Sequence, residues 1–286
     1  MPISSGAIAD DSGYRVAERL AAHSTAAEPS AFAARRRRRF RMPPEMHTGC
    51  RRQTRRRRCR RRPRATGAVA LRSHVVVRSR QAEDRLREAL DRGVRQVLIL
   101  GAGLDTLAFR QPDWARELRI FEIDHPSSQL AKRLRLEAAG IDVPASVGFV
   151  PVDLDVDAID ERLVDAGYDV PTPTFISCLG VLPYLEPAPV DAVFRFAARL
   201  APSSEIVATF ARPSASGFDR LAERAARAGE TWKSRFQPAQ LEAHLSACGF
   251  SVVSFILPEE AQERYFKDRR DGLRASGHVN TVMAVV

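Results

Sequence analysis

The sequence predicts an α/β fold: a doubly wound, seven-stranded sheet with helices on both faces, one antiparallel edge strand and a helical extension at the N-terminus. Three observations predict it. From residue 96 to the end, short apolar runs alternate with helix-length segments, the pattern of a mostly parallel sheet. The first run, Val97-Leu-Ile-Leu100, passes straight into Gly101-Ala-Gly103. Gly101, Asp124, Asp153 and Leu179 close strands 1 to 4, which places all four on the edge where such sheets bind ligands.

The elements follow in order. Residues 13–32 carry Val16, Leu20 and Ala21 at helical spacing, and an arginine-rich tract, residues 35–67, comes next. Residues 68–92 read as a longer helix. Val69, Leu71, Val75, Val76, Leu86 and Leu90 fall mostly on one face, and Gly93 ends it. Strand 1 spans 96–100, and a helix-compatible stretch follows its glycines. Strand 2 spans 118–123, and a helix over 127–139 starts with Ser127 as a plausible cap. Strand 3, 147–152, runs into Asp153-Leu-Asp155. Strand 4, 174–178, leads to Leu179-Gly-Val-Leu-Pro-Tyr-Leu185. A helix over 187–200, strand 5 over 205–210, a polar and helical insert over 211–236 and a helix over 238–248 follow. Strands 6 (250–257) and 7 (281–286) are joined by a loop without a full crossover helix, so the sheet is expected to carry one antiparallel edge strand.

The chain's net charge of +10 misleads. Sixteen arginines face one acid, Glu45, between residues 35 and 64, and the rest of the chain is net acidic by five charges. The tract has no lysine, one aromatic (Phe40) and no amphipathic period, which excludes specific nucleic-acid recognition and leaves only non-specific polyanion binding. It reads as a disordered insert, or as what a GC-rich gene yields in a shifted frame. A polyanion-binding arm on an idle fold is the rival to an enzyme. No run approaches the roughly 18 apolar residues of a membrane span, and the N-terminus lacks the basic-then-apolar order of a signal peptide. Cys50, Cys59, Cys178 and Cys248 show neither Cys-x-x-Cys spacing nor histidines at ligand distances, so no metal site and no disulfide framework is expected. A reduced, cytoplasmic chain is the expectation.

The glycine junction points to a nucleoside cofactor. Gly101 and Gly103 permit a tight turn and close approach to the backbone. Asp124 stands 21 positions beyond Gly103, at the tip of the neighbouring strand, where ribose hydroxyls need an acceptor. The dinucleotide fingerprint would need a third glycine where Thr106 stands, and Asp105 at the helix start disfavours a pyrophosphate. S-adenosyl-L-methionine has no phosphate and carries cationic groups, so the acidic Gly-x-Gly-Leu-Asp loop suits it better. Asp124 is expected to accept both ribose hydroxyls, with Glu122 as the alternative of the same side-chain parity. Asp153 is expected at the adenine amino group, with Leu154 on the ring. Arg78 or Arg80 offers a fork for the cofactor carboxylate, although a solvated helix face explains either. Tyr184 stands where an acceptor would meet the methyl group, and serves equally as core. None of the six histidines has the context of a general base. Arg212, Tyr265, Arg269 and Arg270 are candidates for receiving an anionic acceptor. A nucleotide-dependent oxidoreductase would need a third glycine and a Tyr-x-x-x-Lys pair, and neither is present.

Ile99-Leu-Gly-Ala-Gly-Leu-Asp-Thr-Leu-Ala-Phe-Arg110, Phe121-Glu-Ile-Asp-His-Pro126, Val152-Asp-Leu154 and Leu179–Leu185 together resemble the motifs of the leucine carboxyl methyltransferase family, in particular its bacterial, actinobacterial branch. The resemblance runs from about Leu71 to the end and includes Glu259–Arg269. It implies a class I methyltransferase-like domain over residues 68–286, with cofactor contacts at Arg78, Gly101, Asp124, Asp153 and Leu154. It also implies that residues 1–34 form part of a helical lid, and that the arginine tract replaces what lies between. Eukaryotic relatives methylate a C-terminal carboxylate and carry a cofactor-contacting glutamate after strand 4, where this chain has Leu179. The implied function is O-methylation of a carboxylate or hydroxyl on a small molecule, with the acceptor and the oligomeric state left open.

Overall fold

A computed structural model describes residues 66–213, 223, 226–227, 231–275 and 279–286. The predicted helix at 13–32 and the arginine tract through residue 65 lie outside the described residues. The first described element is helix α1 (Thr66–Leu90), followed by β1 (Gln96–Leu100), a one-turn α2 (Leu107–Arg110), β2 (Arg119–Asp124), α3 (Pro126–Ala138) and β3 (Val147–Pro151). Then come α4 (Ile159–Asp165), β4 (Thr174–Cys178), α5 (Pro187–Ala198), β5 (Glu205–Ala211), α6 (Pro238–Cys248), β6 (Val252–Ile256), α7 (Pro258–Ala261) and β7 (Val279–Val285). A 3-10 turn, Leu182–Tyr184, lies between β4 and α5. Of the expected helical insert, the described residues 223, 226 and 227 are helical and 231–236 are not.

The sheet has seven strands in the order β3-β2-β1-β4-β5-β7-β6. Strands β1 to β5 pair in parallel, and β7 runs antiparallel to both β5 and β6. The predicted antiparallel strand is therefore present, but it sits one place inside the edge, and β6 is the edge strand. Composition explains the order. Val282, Met283 and Ala284 are buried on both faces of β7, as an interior strand requires, whereas Val252 and Ser254 of β6 are exposed. Val285 of β7 pairs with both Glu205 and Val252.

Period-2 alternation divides the core between the two sheet faces. Leu98, Leu100, Phe121 and Ile123 pack with Phe194, Leu241 and Leu245 from α5 and α6. Val97, Ile99 and Ile120 pack instead with Ala82, Leu86 and Ala89 of α1. Helix α1 is further tied to the sheet floor by Glu205, fully buried at the start of β5, which accepts from Arg85 at 2.7 Å and pairs with Arg92.

Two local departures have plain causes. The stretch after the glycine loop makes one helical turn only, because Pro112 forces Gln111 out of the helical region, with φ 21°. Helix α4, not anticipated from the sequence, buries Ile159 and Leu163 one turn apart. Helix α6 ends at Gly249, whose φ of +114° is left-handed and whose missing Cβ would meet only open space. Gly249→Ala is thus expected to cost about 1 kcal/mol from backbone conformation alone. Denaturant unfolding checks this, and an unchanged midpoint would contradict it.

Candidate functional site

Strands β1, β2 and β4 end side by side, and the chain leaving each of them forms a wall of one cleft. After β1, the Gly101 and Ala102 amides both donate to the Ile123 carbonyl, at 2.8 and 3.2 Å, which folds the loop over β2. Gly101 has φ +62°, and a Cβ there would stand 2.4 Å from a Val181 methyl, so only glycine fits. The Gly103 amide donates to Asp124 Oδ2 at 2.7 Å, and the His125 amide to Oδ1 at 2.8 Å. The two sequence features 21 positions apart are thus joined directly. Asp124 is half-buried and aimed by two backbone donors, and each oxygen retains acceptor capacity toward the cleft.

Under the loop lies a group the sequence reading missed. Lys132 of α3 is buried, donates to the Asp105 carbonyl at 2.9 Å and to Glu122 Oε1 at 2.7 Å, and sits 5.0 Å from the Phe109 ring centre. Burial pushes Glu122 up to about 7, with Lys132 opposing the shift. Glu122 is consequently a loop support and not the alternative ribose acceptor; its parity was right, but its depth was not legible. Asp105 Oδ1 accepts the Leu107 amide at 2.8 Å, so a carboxylate already occupies the start of α2. A pyrophosphate would meet that charge.

The opposite wall is α1 and the segment after β4. Arg78 projects over Gly180, where a Cβ would lie 2.3 Å from its Nη1 and where φ is +75°. Arg78 lies 3.3 Å from His74 Nε2, one turn back. Burial pulls the Arg78 pKa down, while Asp105 and Tyr184 act on it in the other direction. The buried His74 is pushed down to about 3 by burial and by Arg78, so its imidazole is neutral and Nε2 accepts. The Gly180 amide is fixed by donation to Thr209 Oγ1 at 2.6 Å.

The cleft these walls enclose measures about 920 Å³. It is lined by the loop from Gly101 to Thr106, by Asp124, Arg78, Leu179 and Tyr184, and by Thr231 and Lys233. The expected residues Arg78, Gly101, Gly103, Asp124 and Tyr184 are therefore brought together. Asp153 and Leu154 are not. They share the sheet edge but do not line the cleft: Asp153 Oδ1 accepts from its own loop at Asp155, and Leu154 packs on the core. Arg80 turns to Asp84 at 2.8 Å. Tyr265 also donates to Asp84, at 3.2 Å, Arg269 pairs with Asp271, and Arg212 and Arg270 are outside the lining, so none of the anion-receiving candidates faces the cleft. Thr231 and Lys233 went unnoticed because no motif marks them.

The model of the leucine carboxyl methyltransferase family matches residues 14–198, well over half of the chain. The chain belongs to that family. The Bacillus subtilis protein named "Putative S-adenosyl-L-methionine-dependent methyltransferase YktD" is 30% identical over 218 residues, covering 73% of this chain and 71% of that protein. A Mycolicibacterium smegmatis protein of the same description is 36% identical over 160 residues, 54% of this chain and 50% of its own. The chain spans about half the length of the mycobacterial relatives it matches. Among solved structures, a DUF574 family protein from Streptomyces avermitilis superposes with a TM-score of 0.56 at 19% identity, over 76% of this chain and 84% of that one, which supports the fold alone. The fold is that of class I methyltransferases, and both of these curated relatives are named for S-adenosyl-L-methionine. The cleft fits that group on its own geometry. It has a glycine cradle that a Cβ would fill, an acid aimed at one end, an arginine over the other, and a capped helix start that has no use for phosphate. No described helix is long and apolar enough to cross a membrane.

Proposed function

We propose that the chain methylates an oxygen, the carboxylate or hydroxyl of a small molecule, using S-adenosyl-L-methionine held in the 920 Å³ cleft. The observation that carries this reading is the pairing of Asp124, aimed by the Gly103 and His125 amides, with Arg78, held over Gly180 on the opposite wall. Asp124 would accept the ribose hydroxyls as charge-assisted bonds, and Arg78 would clamp the amino-acid carboxylate. Gly101 and Gly103 would let the backbone approach the methionine portion. When bound, the cofactor supplies an electrophilic methyl group. The protein's part is then position and electrostatics, worth up to about 7–11 kcal/mol for ideal alignment.

The choice of oxygen rests on what lines the cleft. Among its described residues there is no histidine or cysteine to take a proton. A carboxylate acceptor needs no base, and Thr231 and Lys233, whose ammonium also lies 3.6 Å from Glu186 and 4.0 Å from Asp155, line the cleft. Tyr184 would orient the acceptor by hydrogen bonding. The family match starting at residue 14 supports assigning the segment before the arginine tract to the same domain as a lid.

Transfer of radiolabelled methyl from the cofactor to a panel of small carboxylic acids and phenols tests the reading. Label that base treatment releases as methanol identifies a carboxyl ester, and base-stable label identifies an ether. Label confined to amines or carbon would contradict the proposal.

His74 gives a further expectation. Because it holds Arg78, His74→Ala is expected to weaken S-adenosylhomocysteine binding about tenfold, the worth of one hydrogen bond to a charged group. Binding of 5′-methylthioadenosine, which lacks the amino-acid carboxylate, should not change. Calorimetry with the two ligands checks this, and an equal loss for both would contradict it.

A further inference from the structure

A second cluster of chemistry-bearing side chains lies outside the cleft, where helices α5 and α6 face each other. His244 and Cys248 are one turn apart on α6, so they project from the same face. Asp191 of α5 meets them. A ring nitrogen of His244, a carboxylate oxygen of Asp191 and the Cys248 Sγ all lie within 4.8 Å of one another, and all three residues are half-buried. The expectation that no histidine stands at ligand distance from a cysteine fails here, because four residues are one helical turn on α6.

We propose that Asp191, His244 and Cys248 form a three-ligand site for Zn²⁺ that clamps α5 to α6. The donor set is one carboxylate oxygen, one imidazole nitrogen and one sulfur. That mixture selects zinc over the oxygen-seeking magnesium and calcium, and three protein ligands leave the fourth tetrahedral position for water. The existing contacts prepare each ligand. His244 Nε2 already lies 2.9 Å from Asp191 Oδ1. An ion with zinc–ligand bonds of about 2.0–2.3 Å requires the pair to open by only about half an ångström. The Phe194 ring packs edge-on against the imidazole at 5.7 Å and 78°, which fixes its plane. Arg195 binds the other oxygen, Oδ2, at 2.6 Å, so the carboxylate presents one oxygen to the site. Cys248 is the last residue of α6, where the partial negative charge of the helix end favours a cation.

Charge balance follows from the same groups. Asp191 accepts from Arg195 through Oδ2 and faces His244 through Oδ1, the contacts of a carboxylate. Binding therefore forms the Zn–S bond as the S–H proton leaves to solvent, with no change of oxidation state, and each metal bound releases one proton. Arg195 is the cation that metal binding must tolerate; it is largely exposed and its long stem lets the guanidinium move away.

The experiment titrates Co²⁺, and then Zn²⁺, into the full-length chain carrying Cys50→Ser and Cys59→Ser, which removes thiols outside the described residues. The expected result is one Co²⁺ per chain with tetrahedral absorption and a sulfur-to-cobalt charge-transfer band, displaced by one equivalent of Zn²⁺. Cys248→Ser should lose the charge-transfer band, His244→Gln should lose tetrahedral binding, and Arg195→Ala should bind more tightly. Circular dichroism shows whether each variant is folded, and the parent chain's own spectrum decides the matter if one is not. A folded parent without the band, or a band that survives in Cys248→Ser, would overturn the proposal.

Discussion

Asp124→Ala is expected to reduce S-adenosylhomocysteine affinity at least about a hundredfold. The carboxylate would make charge-assisted bonds to two ribose hydroxyls, and losing both costs about 3 kcal/mol or more, at about 1.4 kcal/mol per factor of ten. Its removal also frees the Gly103 and His125 amides, now satisfied at 2.7 and 2.8 Å, and so loosens the loop that shapes the cleft. Asp124→Asn separates the two effects. The amide keeps one acceptor oxygen but offers a donor where either Gly103 or His125 needs an acceptor, so most of the affinity should still be lost. Calorimetric titration reads both variants, and wild-type affinity in Asp124→Ala would remove Asp124 from the site.

Lys132→Met is expected to have the largest effect on stability. It leaves Glu122 buried without its cation, and breaking a buried ion pair costs about 3–5 kcal/mol when the remaining charge stays. The sign of the pH dependence follows from Glu122. Its pKa is raised from 4.5 to about 7 in the folded chain, so the native state binds the proton more tightly than the unfolded one. This group's contribution to stability is therefore greatest below about 4.5, falls as pH rises, and levels off above about 7. Without Lys132 the carboxyl is pushed higher still, and the decline should continue above pH 7. Denaturant unfolding at pH 5.5 and 8.5 checks this: the gap between wild type and Lys132→Met should widen at the higher pH. A constant gap would mean that Glu122 carries its charge in both cases. Because Lys132 also holds the Asp105 carbonyl, the variant should bind S-adenosylhomocysteine more weakly even where it is folded.

The part of the site legible in the sequence is the part made by backbone conformation. Gly101 must be glycine because its φ is positive and Val181 stands against it, and such constraints leave the same residue type wherever the turn recurs. Asp124 was legible because a strand end fixes where its side chain emerges. Asp153 obeyed the same rule as far as the sheet edge, but its Oδ1 accepts the Asp155 amide and its Oδ2 lies 3.8 Å from His125 Nε2, and it does not line the cleft. Lys132 and Glu122 were illegible because two charged residues on a strand and a helix look solvated until the packing shows them buried against each other. Thr231 and Lys233 line the cleft from the segment before α6, held there by the Lys233 amide donating to the Pro183 carbonyl at 2.6 Å, a contact that no local pattern encodes. The antiparallel strand was expected at the edge, whereas β7, buried on both faces, lies one place inside it.

The most direct test of the central claim is calorimetric titration of the full chain with S-adenosylhomocysteine, beside the same titration with NAD. One-site, micromolar binding of S-adenosylhomocysteine and no heat from NAD is the predicted result. A folded chain that ignores S-adenosylhomocysteine, or that prefers NAD, would contradict it.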